Sequence, residues 1–378
     1  MTLSADTVRD LAGFAALKTQ WQALEATSQT PCLFQSHAWC MVLVERILAV
    51  PDGPEPRLVV LRRDGEVVGL APMSVIRIGP LRIARQMGEP LAQYGDVLGA
   101  FGEDGFDAMI EAIRRWGDVD ALIYRRNRGD SPLAQALTGA GAVLLDINEA
   151  PSLDLSQATT ADALFRRLST DAYRDRKRLR RRAEEAGTVT FAVYEAGAEL
   201  AAAARLALDW KRDWMRVRGL TSQAFSDDLW LEILLHEIET PATGAVAGVL
   251  SIGGEPAAIE LGFRERGRLL AYLGAFHPDR EKLGVGRLAM EDMVRWCLDK
   301  GLTTYDLLPP GGPHKRQWTD TTVEVADRAL PLSTLGTLYL KTYEQGLRPL
   351  LRALYGQIPA GLKDSLGLAP RERRTGTY

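Results

Sequence analysis

A chain of 378 residues with 46% hydrophobic and 25% charged residues is too long for one ordinary compact core and too apolar for extended disorder, so two domains are expected. Lysine and arginine (46) nearly balance aspartate and glutamate (49), leaving a net charge of −3, which argues against general nucleic-acid binding and against DNA in particular. Cys32, Cys40 and Cys297 form no Cys-x-x-Cys pair and no histidine stands at ligand spacing, so neither a disulfide framework nor a metal site is expected.

The N-terminal stretch MTLSADTVRDLAGF lacks a basic-then-apolar leader pattern. No run of ~18 apolar residues follows, and a cytoplasmic location is expected. Around residue 60, RLVVLRRDGEVVGLAPMSVI reads as two strands joined at Asp64-Gly65, because the primed hairpin turns require positive φ. FDAMIEAIRRWGDVDALIYRRN then gives an amphipathic helix through Met109, Ile110 and Ile113, a glycine stop, and a strand from about Ala121 to Tyr124. Thr160 to Glu185 reads as one helix ended by Gly187, and its segment Arg166–Arg182 holds nine basic against two acidic residues. Arg174, Lys177, Arg178 and Arg181 share one face of it. The strand VTFAVYE and an alanine-rich helix from Gly197 to about Arg218 come next.

Around residue 250 the earlier pattern returns. AGVLSIGGEPAAIELGFRE is a hairpin turning at Gly253-Gly254, with Glu255 where Glu66 stood, and GRLAMEDMVRWCLDKGLTTYDLL repeats helix, glycine and strand. Two copies of one mixed α/β unit are therefore expected, with boundaries at 1–155 and 156–332, a basic helix at 160–186 between them, and a helical tail over 333–378 in which Pro349 bends or restarts the helix.

A hairpin, a strand, a glycine-opened helix and a further strand resemble the core of the GNAT acyltransferases. The repeat, with the ending YDLLPPGGPHKRQW, resembles the double-GNAT proteins: the CelD-like acetyltransferases of exopolysaccharide and cellulose clusters and their Fem-type relatives. Asp306, Gly311-Gly312, Lys315 and Trp318 match that family's loop; Phe34, Ser36 and Trp39 match its F-x-S-x-x-W opening. LAQYGDVLG resembles its Tyr-x-Asp segment, and DWKRDWMRVRGLTSQAF a Lys-Arg-Gly-Phe stretch. The implied fold is two tandem GNAT-like mixed-sheet domains packed side by side.

The resemblance implies acetyl-coenzyme A or another acyl-coenzyme A as donor, held by Leu283, Gly284, Val285, Gly286 and Arg287. Free N–H groups at a helix N-terminus suit its pyrophosphate. The family pattern has Gln or Arg where this chain has Glu281. Lys315 is expected to meet the developing oxyanion, Asp306 or Glu260 to act as base, Tyr272 to assist as acid, and His314 to be a second candidate base. Each also has a structural reading: a loop cap for Asp306, an arginine partner for Glu260, core for Tyr272, surface for His314. Tyr94, Asp96, Trp39, Arg174, Arg178 and Trp318 are the expected substrate contacts.

The expected activity is N- or O-acyl transfer to a surface-polysaccharide or cell-envelope precursor. The alternatives are Fem-type aminoacyl transfer from tRNA to a peptidoglycan precursor, and a non-catalytic protein of envelope biosynthesis that senses a phosphate-bearing ligand or nucleotide. The basic helix and the tail, with Lys341, Arg348 and Arg352 beside a leucine face, leave open a peripheral contact with an anionic membrane at its inner face.

Overall fold

The computed structural model describes residues 3–99, 102–220 and 222–357; residues 358–378 of the expected tail lie outside them. Contacts divide the chain into two units. One contains the chain up to Asn148 and again Val323–Gln357, the other Glu149–Thr322.

The first unit opens with β1 (Leu3–Val8), then α1 (Leu11–Ala16), α2 (Lys18–Thr27) and α3 (His37–Ile47), the last capped by the Ser36 hydroxyl, which accepts from Trp39 N–H at 3.2 Å. The hairpin β2 (Glu55–Arg63) and β3 (Glu66–Ile78) turns through Asp64 and Gly65 at φ 50° and 91°, the primed geometry expected from the sequence. It is followed by β4 (Leu81–Gln86), the short β5 (Leu98–Gly99), α4 (Glu103–Arg115), β6 (Ala121–Arg128), α5 (Pro132–Gly139) and β7 (Val143–Asp154), whose residues from Glu149 belong to the second unit. The apolar side of α4, through Met109, Ile110 and Ile113, packs on Val59, Ala71 and Tyr124.

The second unit continues with α6 (Ala161–Leu168) and α7 (Thr170–Glu185). One helix was expected here; two are found, because the Ser169 hydroxyl accepts from Ala172 N–H at 3.2 Å and starts a new helix. Next come β8 (Val189–Tyr194), α8 (Gly197–Val217), α9 (Gln223–Ser226) and α10 (Asp228–Glu239). The hairpin β9 (Ala245–Ile252) and β10 (Glu255–Glu265) turns at Gly253-Gly254, and β11 (Arg268–Phe276), α11 (Val285–Asp299), β12 (Thr304–Asp306) and α12 (Pro313–Arg316) complete the unit.

The chain then returns to the first unit as β13 (Thr321–Pro331), which pairs antiparallel with β6 from Val325↔Arg128 to Pro331↔Ala121. The strand that closes the first sheet thus comes from a stretch expected to lie in the second domain. The tail is α13 (Thr334–Tyr339), eight π-helical residues (Leu340–Leu347) and α14 (Arg348–Gln357). Pro349 has no N–H and crowds the carbonyl one turn back; it is the second residue of α14, where the α-helix restarts after the π-helical residues.

The strand order in the first unit is β1-β2-β3-β4-β6-β13, with β5 beside β3; in the second it is β8-β9-β10-β11-β12-β7. The two orders correspond strand for strand. In both, the fourth and fifth strands are parallel over three residue pairs, Ile83↔Ala121 to Arg85↔Ile123 and Arg268↔Thr304 to Leu270↔Asp306. Each hairpin also carries a one-residue bulge at the same place, between Arg62/Val67 and Leu61/Gly69 in one copy and between Ser251/Pro256 and Leu250/Ala258 in the other. The mixed α/β fold and the internal repeat expected from the sequence are both present.

The basic run has an inner and an outer side. Arg176, 3% exposed, donates to Glu291 of α11 at 2.8 Å and lies over the Trp318 ring at 4.4 Å; Arg180 reaches Asp292 at 2.6 Å, and Asp175 takes Arg287 at 3.0 Å. These contacts fasten α7 along α11. Removing one partner of a buried pair strands the other charge. Glu291→Ala is therefore expected to lower the unfolding free energy in urea by ~3–5 kcal/mol, while Arg174→Ala, on the exposed face, leaves it within about 0.5 kcal/mol.

Candidate active site

β10 places Glu260 opposite two glycines, Gly248 of β9 and Gly274 of β11. A Cβ at position 274 would stand 3.2 Å from Glu260 Oε2, so glycine leaves that oxygen its space. Glu260 is 4% exposed; its Oε1 accepts from the buried Tyr305 hydroxyl at 2.9 Å, and Oε2 has no hydrogen-bond partner among the described residues. Burial pushes its pKa up to about 7, against the pull of Tyr305, Lys315 and Lys211. A carboxylate that ionises near neutrality, with one oxygen unoccupied, is suited to take a proton.

Beyond Leu270↔Asp306, β11 runs on to Phe276 while β12 ends at Asp306. Residues 271–276 therefore pair with β10 alone among the described strands, and the other edge of β11 is open beside Glu260. At the end of β11 a 3-10 turn (Pro278–Leu283) leads to Gly284, whose φ of 66° favours glycine, and α11 begins at Val285. Leu179 of α7 packs against this turn: a Cβ on Gly284 would meet it at 2.8 Å. Gly286 has only Phe276 near, at 3.4 Å, and so has room for a side chain. Val285 is core, which leaves its backbone to the turn, and Arg287 is held by Asp175. Glu281, the departure from the family pattern, is paired with Arg218 of α8 at 3.0 Å, so its charge is compensated.

The loop after β12 is tied by its own side chains. Asp306 accepts from Leu308 N–H at 2.8 Å, with Leu308 at φ 56°. The Lys315 ammonium donates to the carbonyls of Leu307, Leu308 and Pro310 at 2.8, 2.8 and 2.9 Å. Burial lowers its pKa to about 8, against Asp306 and Glu260. All three N–H donors of this ammonium are thereby committed. The expected oxyanion contact from Lys315 would require one of these bonds to break, and in this structure Lys315 fastens the loop. His314 is exposed, and partial burial with the charges of Lys315 and Lys211 lowers its pKa below the usual histidine value. Tyr272 packs edge-on against Phe263 at 5.4 Å, and the hydroxyl at Glu260 is that of Tyr305 instead.

Three expected substrate contacts are core. Trp39, 0% exposed, packs edge-on against Phe34 at 5.0 Å, and Trp318, 2% exposed, against Phe165 at 5.9 Å. Tyr94 is buried, its ring beneath Arg128 at 5.1 Å and its carbonyl accepting from Gln35. Asp96 is buried too and accepts from Val97 N–H at 2.9 Å; burial pushes its pKa to about 7. Arg174 and Arg178 are exposed and pair with Asp171 and Asp175 on their own helix.

Sequence reasoning missed Tyr305 and Lys211. Lys211 of α8 is half-buried and lies over Trp214 at 4.7 Å, and burial lowers its pKa against the pull of Glu260. Both residues stand inside quoted motifs, TTYDLL and DWKRDW. In the first copy the corresponding positions differ: by turn and bulge register Ala71 stands where Glu260 does, and α4 opens on Glu103 and Asp104, which occupy its N-terminus with negative charge. A cavity of about 310 Å³ at the other end of α8, lined by Glu195, Gly197, Leu200, Ile238 and Pro241, belongs to neither arrangement.

Residues 171–316 match the family model described as Acetyltransferase (GNAT) domain. No curated protein matches the chain. Among solved structures, FemX shares 11% identity at a TM-score of 0.62, with 90% of this chain and 100% of that one covered. L-PGS from Bacillus licheniformis shares 14% at 0.52, covering 87% and 97%. A conserved protein of unknown function from Bacteroides thetaiotaomicron shares 10% at 0.54, covering 87% and 100%. At these identities the likeness is one of fold, and it extends over nearly the whole chain.

Because Glu260 holds its proton more tightly folded than unfolded, its contribution to stability is present in full below the unfolded value of 4.5 and is lost as pH rises through about 7. At pH 8, Glu260→Gln is expected to raise the unfolding free energy by up to about 3 kcal/mol, and at pH 4 to change it little. Urea titrations at the two pH values check this.

Proposed function

We propose that the second unit transfers an acetyl or related acyl group from acyl-coenzyme A to an amino or hydroxyl group of a surface-polysaccharide or cell-envelope precursor, in the manner of the CelD-like proteins that the motifs resemble. The observation that carries this reading is Glu260, a buried base beside the open edge of β11, with the Gly284 turn and the N-terminus of α11 at the end of the same strand. The residues fit the donor at Gly286, which has room beside it, and at the first N–H groups of α11, which suit a pyrophosphate, while Leu179 covers Gly284. Acyl-coenzyme A would supply the activated thioester, whose acyl C–S bond breaks as the acceptor bonds to the acyl carbon, with coenzyme A released as the leaving thiol. Glu260 takes the proton of the attacking amine or hydroxyl and returns one to that thiolate, directly or through water, Tyr305 orients the carboxylate, and Lys315 and Asp306 keep the loop beside it in place.

A second reading, aminoacyl transfer from tRNA, is favoured by the fold likeness to FemX over the whole of that chain. It predicts transfer that ribonuclease abolishes and no affinity for coenzyme A.

Calorimetric titration with acetyl-coenzyme A is expected to give micromolar binding, lost in Gly286→Asp, which puts a carboxylate at the anion site where a side chain is tolerated. Absence of binding to the unaltered protein contradicts the coenzyme A reading. With an acceptor in hand, kcat is expected to rise with pH through about 7 and to lose that limb in Glu260→Gln, with a loss of ~100-fold or more.

We also propose that the C-terminal helices rest on an anionic membrane surface. Leu338, Leu347, Leu350, Leu351 and Leu354 are exposed, and Thr334 to Tyr378 holds seven basic against three acidic side chains in a chain that is net negative. No described helix is long and apolar enough to cross a membrane. The protein is expected to sediment with phosphatidylcholine vesicles containing phosphatidylglycerol and not with phosphatidylcholine alone, and Leu350→Glu with Leu354→Glu is expected to release it. Equal sedimentation of that variant contradicts the proposal.

A further inference from the structure

The two lysines nearest Glu260 are in opposite states. Lys315 has all three N–H donors on carbonyls of its own loop. Lys211 makes no hydrogen bond or ion pair among the described residues, and its one contact of that kind is the face of Trp214. Its ammonium is absent from the fully buried unpaired atoms, so it remains in touch with solvent. An ammonium drawn partly out of water without an anionic partner is costly, and a weak ring contact offsets only part of that cost.

The surroundings of Lys211 form one helix face. Trp210, Trp214 and Arg218 follow at four-residue steps along α8, with Lys211 three residues before Trp214. Trp210 meets His277, the residue after β11, edge-on at 5.6 Å; Arg218 lies over Trp214 at 4.4 Å and binds Glu281 in the turn before α11. The face therefore runs from the neighbourhood of Glu260 to the Gly284 turn, along the path between a base and a donor site. At the Arg218 end its charge is answered by Glu281. At the Lys211 end it has no hydrogen-bonded or ion-paired partner among the described side chains, and only the longer-range pull of Glu260 acts on it.

We propose that Lys211, backed by Trp214, is the anion-binding residue of this site and takes a carboxylate or phosphate carried by the acceptor. The word acceptor rests on the acyl-transfer reading; the anion site itself does not. The ligand draws the ammonium from the indole face into a charge-assisted hydrogen bond, which fixes the acceptor with its nucleophile toward Glu260. The Trp214 face so uncovered suits the apolar side of a sugar ring. The substrate class is thus an acidic or phosphorylated saccharide rather than a neutral one.

The test is calorimetric binding, with no acyl donor present, of glucosamine 6-phosphate, glucosamine and inorganic phosphate to the full chain and to Lys211→Met, Lys211→Arg and Arg205→Glu. The expected result is that glucosamine 6-phosphate binds more tightly than either of the other probes. Lys211→Met weakens it by roughly tenfold or more, Lys211→Arg largely restores it, and Arg205→Glu, exposed in the first half of α8 and paired with Glu239, changes nothing. Thermal unfolding of Lys211→Met guards against a folding defect. Equal affinity in Lys211→Met, equal affinity for glucosamine, or no binding of either phosphate overturns the anion site. Inorganic phosphate bound as tightly as the sugar phosphate overturns its assignment to the acceptor. Loss of acetyl-coenzyme A binding alone sinks the acyl-transfer reading while leaving the anion site standing.

Discussion

β12 is three residues long, and the arrangement of the second unit follows from that limit. Its parallel pairing with β11 ends at Asp306, where the carboxylate turns back onto Leu308 N–H and Lys315 gathers three carbonyls of the loop. Had the pairing continued, the edge of β11 from residue 271 to 276 would be covered and Glu260 would lie within a closed sheet. Because it stops, residues 271–276 of β11 keep one edge unpaired among the described strands, with Glu260 opposite Gly274 on the paired edge and α11 beginning beyond the strand's end. The loop that stops it holds itself by hydrogen bonds to backbone, which fixes the opening without drawing on the base.

The two copies share topology down to a bulge in the hairpin, yet their side chains differ at the proposed site. Ala71 stands at the place of Glu260 in the first copy, and acidic residues fill the first turn of α4. Repetition of a fold conserves the packing pattern of strands and helices, which many apolar sequences satisfy; it does not conserve a site, which depends on a few side chains. In the second copy α7 adds a further restraint. Its inward arginines bind Glu291 and Asp292, and Leu179 closes on Gly284, so the inner side of the basic run holds α11 and the turn before it.

The parts legible in the sequence were those set by local chemistry. Asp64-Gly65 and Gly253-Gly254 announce turns because only such residues accept positive φ, and the helix of each copy declares itself by its apolar period. Glu260, Asp306 and Lys315 were recognisable as groups able to do chemistry. What each does is decided by partners far away in the chain: Tyr305 lies 45 residues from Glu260, and Glu291 lies 115 from Arg176. No local pattern separates an inward arginine from its outward neighbours. Trp39, Tyr94 and Trp318, expected at the substrate, are buried here, and a buried aromatic ring and one that stacks on a ligand look alike in sequence. Lys211 stands in the quoted stretch DWKRDW, but that it lies over Trp214 without an ion-paired partner among the described residues is visible only in the fold.

The account depends most on Glu260 being a base poised near neutrality. The most direct measurement is the titration of its side-chain carboxyl by carbon-13 NMR in selectively labelled protein, assigned by its loss in Glu260→Gln. A midpoint near 7, moved by Tyr305→Phe, is the predicted result. A midpoint near the ordinary glutamate value of about 4.3 would mean a solvated, paired carboxylate, and would contradict the central claim.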